Sequence, residues 1–292
     1  MPREKSYSLS YPALYDAADK TSLAAQQWYL RFSAIRLAAL VGTAGVMLLT
    51  SLIESWAPIT AVLFLAAALA GELLILTLHP ERQWYEGRAI AESVKTLSWK
   101  YQVGGEPFGV DGPNAADVDT EFIRRLDQLV TEFRDLNLRP AEKNQITEAM
   151  RQIRMKSLDE RRDVYRASRI DDQQTWYARN SDWNRTWALR WQIGLVLIEI
   201  AGILAAIFRA LNLVQSDAYG FLAAVAAAGG GWLQIKQHQN LAKAYSVASH
   251  ELASILSRMD AAQDEDEWKR FVDHAEVAIS REHTLWLASR SG

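Results

Sequence analysis

The chain is predicted to be an all-α membrane protein made of two transmembrane helical hairpins, four spans in all, with long cytosolic helical extensions. Three observations predict it. Apolar runs at about 34–53, 57–78, 188–208 and 218–235 approach the roughly 20 residues a helix needs to cross hydrocarbon. They come in pairs joined by short polar turns, Glu54-Ser55-Trp56 in one and Arg209 to Asp217 in the other, too short to hold a domain and so forcing re-entry. The entry segments also match, Trp28-Tyr29-Leu30-Arg31-Phe32 against Trp187-Ala188-Leu189-Arg190-Trp191, which marks a duplicated two-helix unit. Buried core helices are the alternative, since most runs carry one charge, but four runs of this length exceed what a soluble helical domain carries.

Composition narrows the class. Among 292 residues 49% are hydrophobic, an average that hides the spans because their flanks are very polar. A net charge of −3 provides no global basic field for nucleic acid. The absence of cysteine excludes disulfides, thiolate zinc sites and a Cys nucleophile. About 30 polar or amphipathic residues precede the first span, so the N-terminus does not read as a cleaved secretory signal.

Taken in order, residues 11–32 form an amphipathic helix running into span one, with Leu14, Ala17, Ala18, Leu23 and Trp28 as apolar contacts. Arg31 and Arg36 at the entry, His79, Arg82 and Arg88 after span two, and Arg179, Arg185, Arg190, Lys236 and Lys243 around the second hairpin place both termini and the bulky segments in the cytoplasm. Trp56, Trp187, Trp191 and Trp232 fall near span ends, where indole rings favour the headgroup layer. Residues 81–101 continue helically from span two until the Gly/Pro loop 103–114 ends them. Residues 119–136 supply an amphipathic helix through Phe122, Leu126, Leu129 and Phe133, and Pro140 separates it from a long polar helix, Ala141 to about Asn184, that feeds span three. After span four come a helix over 239–259, an acidic break at 260–266 and a last helix over 268–287 carrying Phe271, Ala275, Ala278, Ile279 and Trp286.

The search for chemistry returns little. There is no G-x-S-x-G, Walker-type loop, G-x-G-x-x-G or H-E-x-x-H, which argues against hydrolase and kinase readings, and neither cofactor nor metal is implied. The five histidines, His79, His238, His250, His274 and His283, are scattered without ligand spacing. Gly229, Gly230 and Gly231 lie inside a span and serve close helix approach. Glu72 and Glu199 are the informative charges, because an ionised carboxylate near mid-membrane costs roughly 2.5–3.5 kcal/mol on insertion scales unless it faces water or a partner. Glu72, about two turns from the cytoplasmic end, can also be satisfied near headgroups or between helices; Glu199, more central, points to a water-lined or subunit-facing position. Arg151, Arg154, Arg162, Arg166 and Arg169 recur at spacings that place them on one side of the long helix. That face suits anionic lipid or a phosphorylated messenger, or pairs with the interleaved Asp159, Glu160, Asp163, Asp171 and Asp172.

A family resemblance follows from these residues. Tyr165-x3-Arg169-Ile170-Asp171-Asp172-Gln173-x2-Trp176-Tyr177, the hairpin after it and the helix with Tyr245 and Glu251 resemble the SLATT family of two-transmembrane effector domains, also filed as DUF4231-type. The N-terminal half resembles a sister subfamily through Tyr11-Pro12-x-Leu14-Tyr15-x2-Ala18-Asp19-x2-Ser22-x3-Gln26-x2-Tyr29, then Trp84, Arg88, Ala91-Glu92-Ser93, Trp99-Lys100-Tyr101 and Pro107-Phe108. The terminal Ala275-Glu276-x5-Glu282-His283-x2-Trp286 fits the same pattern. On this reading two units are fused, residues 1–118 and 119–292. The resemblance implies a bacterial membrane protein of nucleotide-signalling, anti-phage conflict systems, a pore-forming or membrane-perturbing effector that stops growth or kills the infected cell. It implies no catalytic residues.

The expectation is thus a non-enzymatic homo-oligomer of the inner membrane that conducts ions when a nucleotide messenger or a cytosolic sensor protein activates it. Its partners would be itself and the bilayer, with no nucleic acid. A membrane-anchored helical scaffold without a pore, and a small transporter, stay open as alternatives.

Overall fold

A computed structural model of the chain describes residues 10–50, 54–110, 115–138, 140 and 143–288, the side chains of Glu54, Ala115 and residues 281–288 aside. Every regular element among these residues is helical. In chain order they are α1 (Ala13–Leu48), a 3-10 turn (Glu54–Trp56), α2 (Ala57–Leu78), α3 (Pro80–Val103), α4 (Ala115–Glu132), α5 (Glu148–Arg154), α6 (Leu158–Tyr165), a π-helical turn (Arg166–Asp171), α7 (Asp172–Ala210), α8 (Ala218–Lys236), α9 (His238–Met259) and α10 (Glu265–Ala288). Four of them, α1, α2, α7 and α8, carry stretches long and apolar enough to cross a membrane. Expected span 34–53 corresponds to α1 up to Leu48; residues 51–53 lie outside the described ones, as do 111–114 of the expected loop.

Local chemistry sets the helix boundaries. Pro58 in the first turn of α2 occupies a place where a missing N–H costs no hydrogen bond. α2 stops at His79, whose left-handed backbone (φ 44°) donates to the Ile75 carbonyl, and Pro80 then opens α3. α3 ends at Val103 because Gly104 takes φ +77°, a conformation that costs glycine little, while Gly105 N–H closes on the Lys100 carbonyl at 2.7 Å.

One expectation is corrected: residues 141–184 are not a single helix, and 141–142 lie outside the described residues. Thr147 caps α5 by accepting from Met150 N–H. Ser157 and Glu160 form a reciprocal capping box that starts α6 afresh after Met155. The polar side chains that suited a helix interior by pattern are used as caps instead.

By packing, the described residues form two compact units. An extramembrane unit comprises those within Met1–Ala24, Arg82–Asn180 and Ala244–Gly292, and a membrane unit those within Ala25–Glu81 and Ser181–Lys243. The extramembrane unit holds two cores. One joins Leu14 and Ala18 of α1 to Ile90, Ala91 and Val94 of α3, Phe122 and Leu126 of α4 and Met150 of α5. The other joins Trp99, Val164, Tyr165, Ile170, Leu252, Met259, Trp268 and Val272. Among the expected contacts, Leu14, Ala17 and Ala18 are buried whereas Leu23 and Trp28 are about half exposed, at 47% and 51%.

In the membrane unit the duplication is visible as repeated contacts. A β-carbon on Gly71 of α2 would lie 3.2 Å from the Phe32 carbonyl oxygen and 3.4 Å from Arg36 Cβ; one on Gly229 of α8 would meet Leu195 and Trp191. Phe32 and Trp191, like Arg36 and Leu195, stand 159 positions apart, and Gly71 and Gly229 stand 158 apart. Gln237 repeats the left-handed break of His79 at the same 158 offset, donating to the Leu233 carbonyl. Arg31 lies over Trp28 at 5.4 Å and Arg190 over Trp187 at 5.5 Å. Just outside the spans, Ser22 Oγ donates to the Trp84 carbonyl and Ser181 Oγ to the Ala242 carbonyl. Cross-contacts between the hairpins join α1 to α8: Gly45 faces Phe221 and Gly231 faces Leu37.

Candidate functional site

The two intramembrane carboxylates have different surroundings. Glu72 on α2 is paired with Arg36 on α1, both side chains partly buried at the hairpin crossing that Gly71 makes close. Arg36 thereby neutralises a charge that would otherwise be costly in hydrocarbon. Glu199 sits near the middle of the apolar stretch of α7 and is exposed, beside the outward-facing Val196, Ile200 and Ile203 at 52%, 47% and 61% exposure. Among the described residues it meets no hydrogen-bond donor and no cation. Residue 36 corresponds to Leu195 in the second copy, so the second hairpin carries no arginine at its crossing.

The coverage of the spans differs in the same sense. In the most apolar windows of α1 and α2, 22% and 17% of residues are buried, whereas in those of α7 and α8 none is. Gly229 and Gly231 make close approaches, to Leu195 and to Leu37, and Gly230 faces open space. Two of the three predicted packing glycines therefore pack within the chain. At the far turn Arg209 and Asp217 pair at 3.3 Å.

The five arginines expected on one basic face do not share a face, because the helix that would align them is interrupted twice. Arg151 pairs with Asp119 of α4 at 2.6 Å. Arg154 donates to the carbonyls of Tyr101, Phe108 and Gly109, tying the loop after α3 to α5. Arg162 lies over the Trp268 ring, 5.8 Å from its centre, with Asp159 at 3.5 Å. Arg166 pairs with Asp260. Arg169, in the π turn, is fully buried against Glu276 of α10, with Nε to Oε1 2.9 Å and Nη2 to Oε2 2.6 Å.

Glu276 is the hub of the extramembrane unit. Besides Arg169 it accepts from the Tyr165 hydroxyl and from Thr96 Oγ1, each at 3.0 Å. Burial, reinforced by the Glu276 charge, holds the Tyr165 phenol neutral far above its ordinary range. Burial works against the Arg169 charge, but Glu276 outweighs it, and the guanidinium stays firmly protonated. Arg169 Nη1 has no hydrogen-bond partner among the described residues. Nearby Lys95 has its pKa lowered by burial and by the Arg169 and Arg88 charges, against the pull of Glu92.

Sequence reasoning missed Arg36 as a partner for Glu72, and it missed Arg161. That side chain is 1% exposed and donates to the Val103 and Lys156 carbonyls while pairing with Glu265. A signal existed: Arg161 precedes the apolar pair Val164 and Tyr165 by three and four residues, so it shares their inward face. The residues that carried the family resemblance are largely these packing residues, including Tyr165, Arg169 and Glu276, and Trp176, Tyr177 and Tyr245, whose rings lie 5.1 to 5.6 Å apart. Arg88 lies between Glu92 at 2.6 Å and Asp19 at 3.8 Å.

Two family models match in tandem. Residues 12–162 match the model described as SMODS and SLOG-associating 2TM effector domain 3, and residues 165–286 match the one described as SMODS and SLOG-associating 2TM effector domain 1. No curated protein and no solved structure matches the chain.

Proposed function

Because the chain belongs to the SLATT family and joins two of its two-transmembrane effector domains in one polypeptide, we propose that it is a homo-oligomeric, ion-conducting effector of the bacterial inner membrane. In this reading it is not an enzyme, its termini are cytoplasmic, and it acts in anti-phage or nucleotide-messenger signalling. The carrying observation is Glu199, a mid-span carboxylate on an uncovered helix face with no partner among the described residues. Left in lipid it costs roughly 2.5–3.5 kcal/mol, and the family role of membrane effector gives that cost a use. A ring of copies that turns α7 inward puts Glu199 against water, where it favours cations. Four spans in one chain are too few for such a pathway, so oligomerisation is part of the proposal.

The extramembrane unit supplies the control. α7 runs without a break from Asp172 to Ala210, and the π turn at its root is fixed by Arg169 and Glu276. A π turn holds one residue more than an α turn, so relaxing it would rotate the helix that follows by about 100°. A messenger or sensor acting on α10 would bias that turn.

The test is ion flux from liposomes holding the full chain, with and without candidate cyclic and linear nucleotides. Flux that rises steeply with protein density, or with one messenger, supports the proposal. Tight liposomes under every condition, with inserted and oligomeric protein, would replace it with the membrane-anchored scaffold.

A further inference from the structure

The second hairpin and α1 enclose an open groove of about 550 Å3 inside the membrane unit. Its walls are apolar, from Leu37 and Val41 of α1, Leu195 and Ile198 of α7 and Val225 and Gly229 of α8. Trp187, Trp191 and Trp232 lie toward the end where the helices continue into extramembrane segments, and Arg190 is there too. Arg190 is exposed, lies over the Trp187 ring at 5.5 Å and has no carboxylate partner among the described residues. Lys236 lies likewise over Trp232 at 5.7 Å.

The two copies differ at this place. In the first hairpin Ile35 and Arg36 stand where the second has Gly194 and Leu195, and the Arg36 side chain reaches across to Glu72. In the second, a β-carbon on Gly194 would meet nothing within 4 Å. The first crossing is bridged by an ion pair and the second leaves space open. A groove at hydrocarbon depth excludes water from its apolar walls, and its cationic rim stands at headgroup depth, where tryptophan also settles.

We propose that the groove holds one acyl chain of an anionic glycerophospholipid whose phosphate is held by Arg190. The size agrees: the groove is many times larger than one water needs, and its lining follows α7 from Trp187 to Ile198, about 16 Å of helix, a length that one extended acyl chain fills. The charge agrees as well, since arginine presents a fork that matches phosphate and the site has no acidic residue to compete. The site does not depend on whether the protein conducts ions.

The experiment is native mass spectrometry of the full chain released from nanodiscs of mixed phosphatidylglycerol and phosphatidylcholine. The unmutated protein is expected to retain one phosphatidylglycerol per chain, several-fold over phosphatidylcholine. Gly194→Leu, whose β-carbon meets nothing within 4 Å and whose longer side chain would occupy the groove, should abolish retention, while Gly194→Ala keeps it. Arg190→Gln should retain lipid without headgroup preference. Retention unchanged by Gly194→Leu overturns the groove, and a preference unchanged by Arg190→Gln overturns the phosphate contact. A Gly194→Leu chain that alters the oligomeric mass but not lipid retention would put a second copy in the groove instead. In the unmutated protein, brominated-chain phosphatidylglycerol should quench tryptophan fluorescence more than the phosphatidylcholine analogue; equal quenching contradicts the proposal without recourse to a variant.

Discussion

The two hairpins repeat the same helix crossing, the same left-handed break and the same arginine over tryptophan, yet they treat charge in opposite ways. In the first, Arg36 and Glu72 face each other across the crossing. In the second, the crossing is apolar, a groove opens beside Gly194, and that hairpin's own span carboxylate, Glu199, points outward alone. Duplication supplied two scaffolds with corresponding contacts. One reads as an anchor satisfied within its own chain, and the other leaves polar and apolar groups for something outside it. In a bilayer that difference is large, because an unpaired charge has no water to fall back on.

Glu276 calibrates what a fully satisfied carboxylate contributes. Arg169→Met strands it in the interior and should cost about 3–5 kcal/mol in denaturant unfolding of the detergent-solubilised chain, with Glu276→Leu added to the same chain recovering most of it. Recovery of none would mean that the pair is not an isolated coupling.

Next in size, Arg36→Leu leaves Glu72 unpaired and should cost about 2–3 kcal/mol, read as lost thermal stability in bicelles, with Glu72→Gln as rescue. An Arg36→Leu chain as stable as the original would erase the contrast between the hairpins. A finer probe is glycine against glycine. Gly71→Ala presses on the Phe32 backbone carbonyl and should cost about 1 kcal/mol or more, whereas Gly229→Ala presses on the mobile end of Leu195, with Trp191 at ordinary contact distance, and should be near neutral. Equal effects in thermal unfolding would show that the two crossings are not packed as described.

The smallest effect lies outside the spans. Lys95 has a folded-state pKa below its ordinary 10.5, so the unfolded chain binds more protons between the two values and stability rises with pH through that window. Lys95→Met should flatten that rise in unfolding titrations; an unchanged slope would assign it to another group.

How much of this was legible in the sequence follows from what each feature depends on. The spans depend on local hydropathy over about 20 residues, and the duplication on matched entry segments, so both could be read directly. Caps at Thr147 and Ser157 were present in the sequence but were absorbed into a long helical pattern, and the Ser157–Glu160 spacing was the signal that went unread. The partners of Glu72 and Arg169 depend on interhelix register, which no local window contains: Arg36 is 36 positions from Glu72 and Glu276 is 107 from Arg169. Periodicity drew the basic face from a straight 3.6-residue helix. The π turn and the break at 155–157 send those arginines to different partners.

On the proposed function, Glu199, and not Glu72, faces the conducting path of an assembled protein. Reversal potentials of liposome-reconstituted chains under a salt gradient test it most directly, comparing the unmutated protein with Glu199→Gln and with Glu72→Gln. The expected result is a cation preference that falls in Glu199→Gln and persists in Glu72→Gln. Selectivity and conductance unchanged by Glu199→Gln, or abolished only by Glu72→Gln, would contradict it.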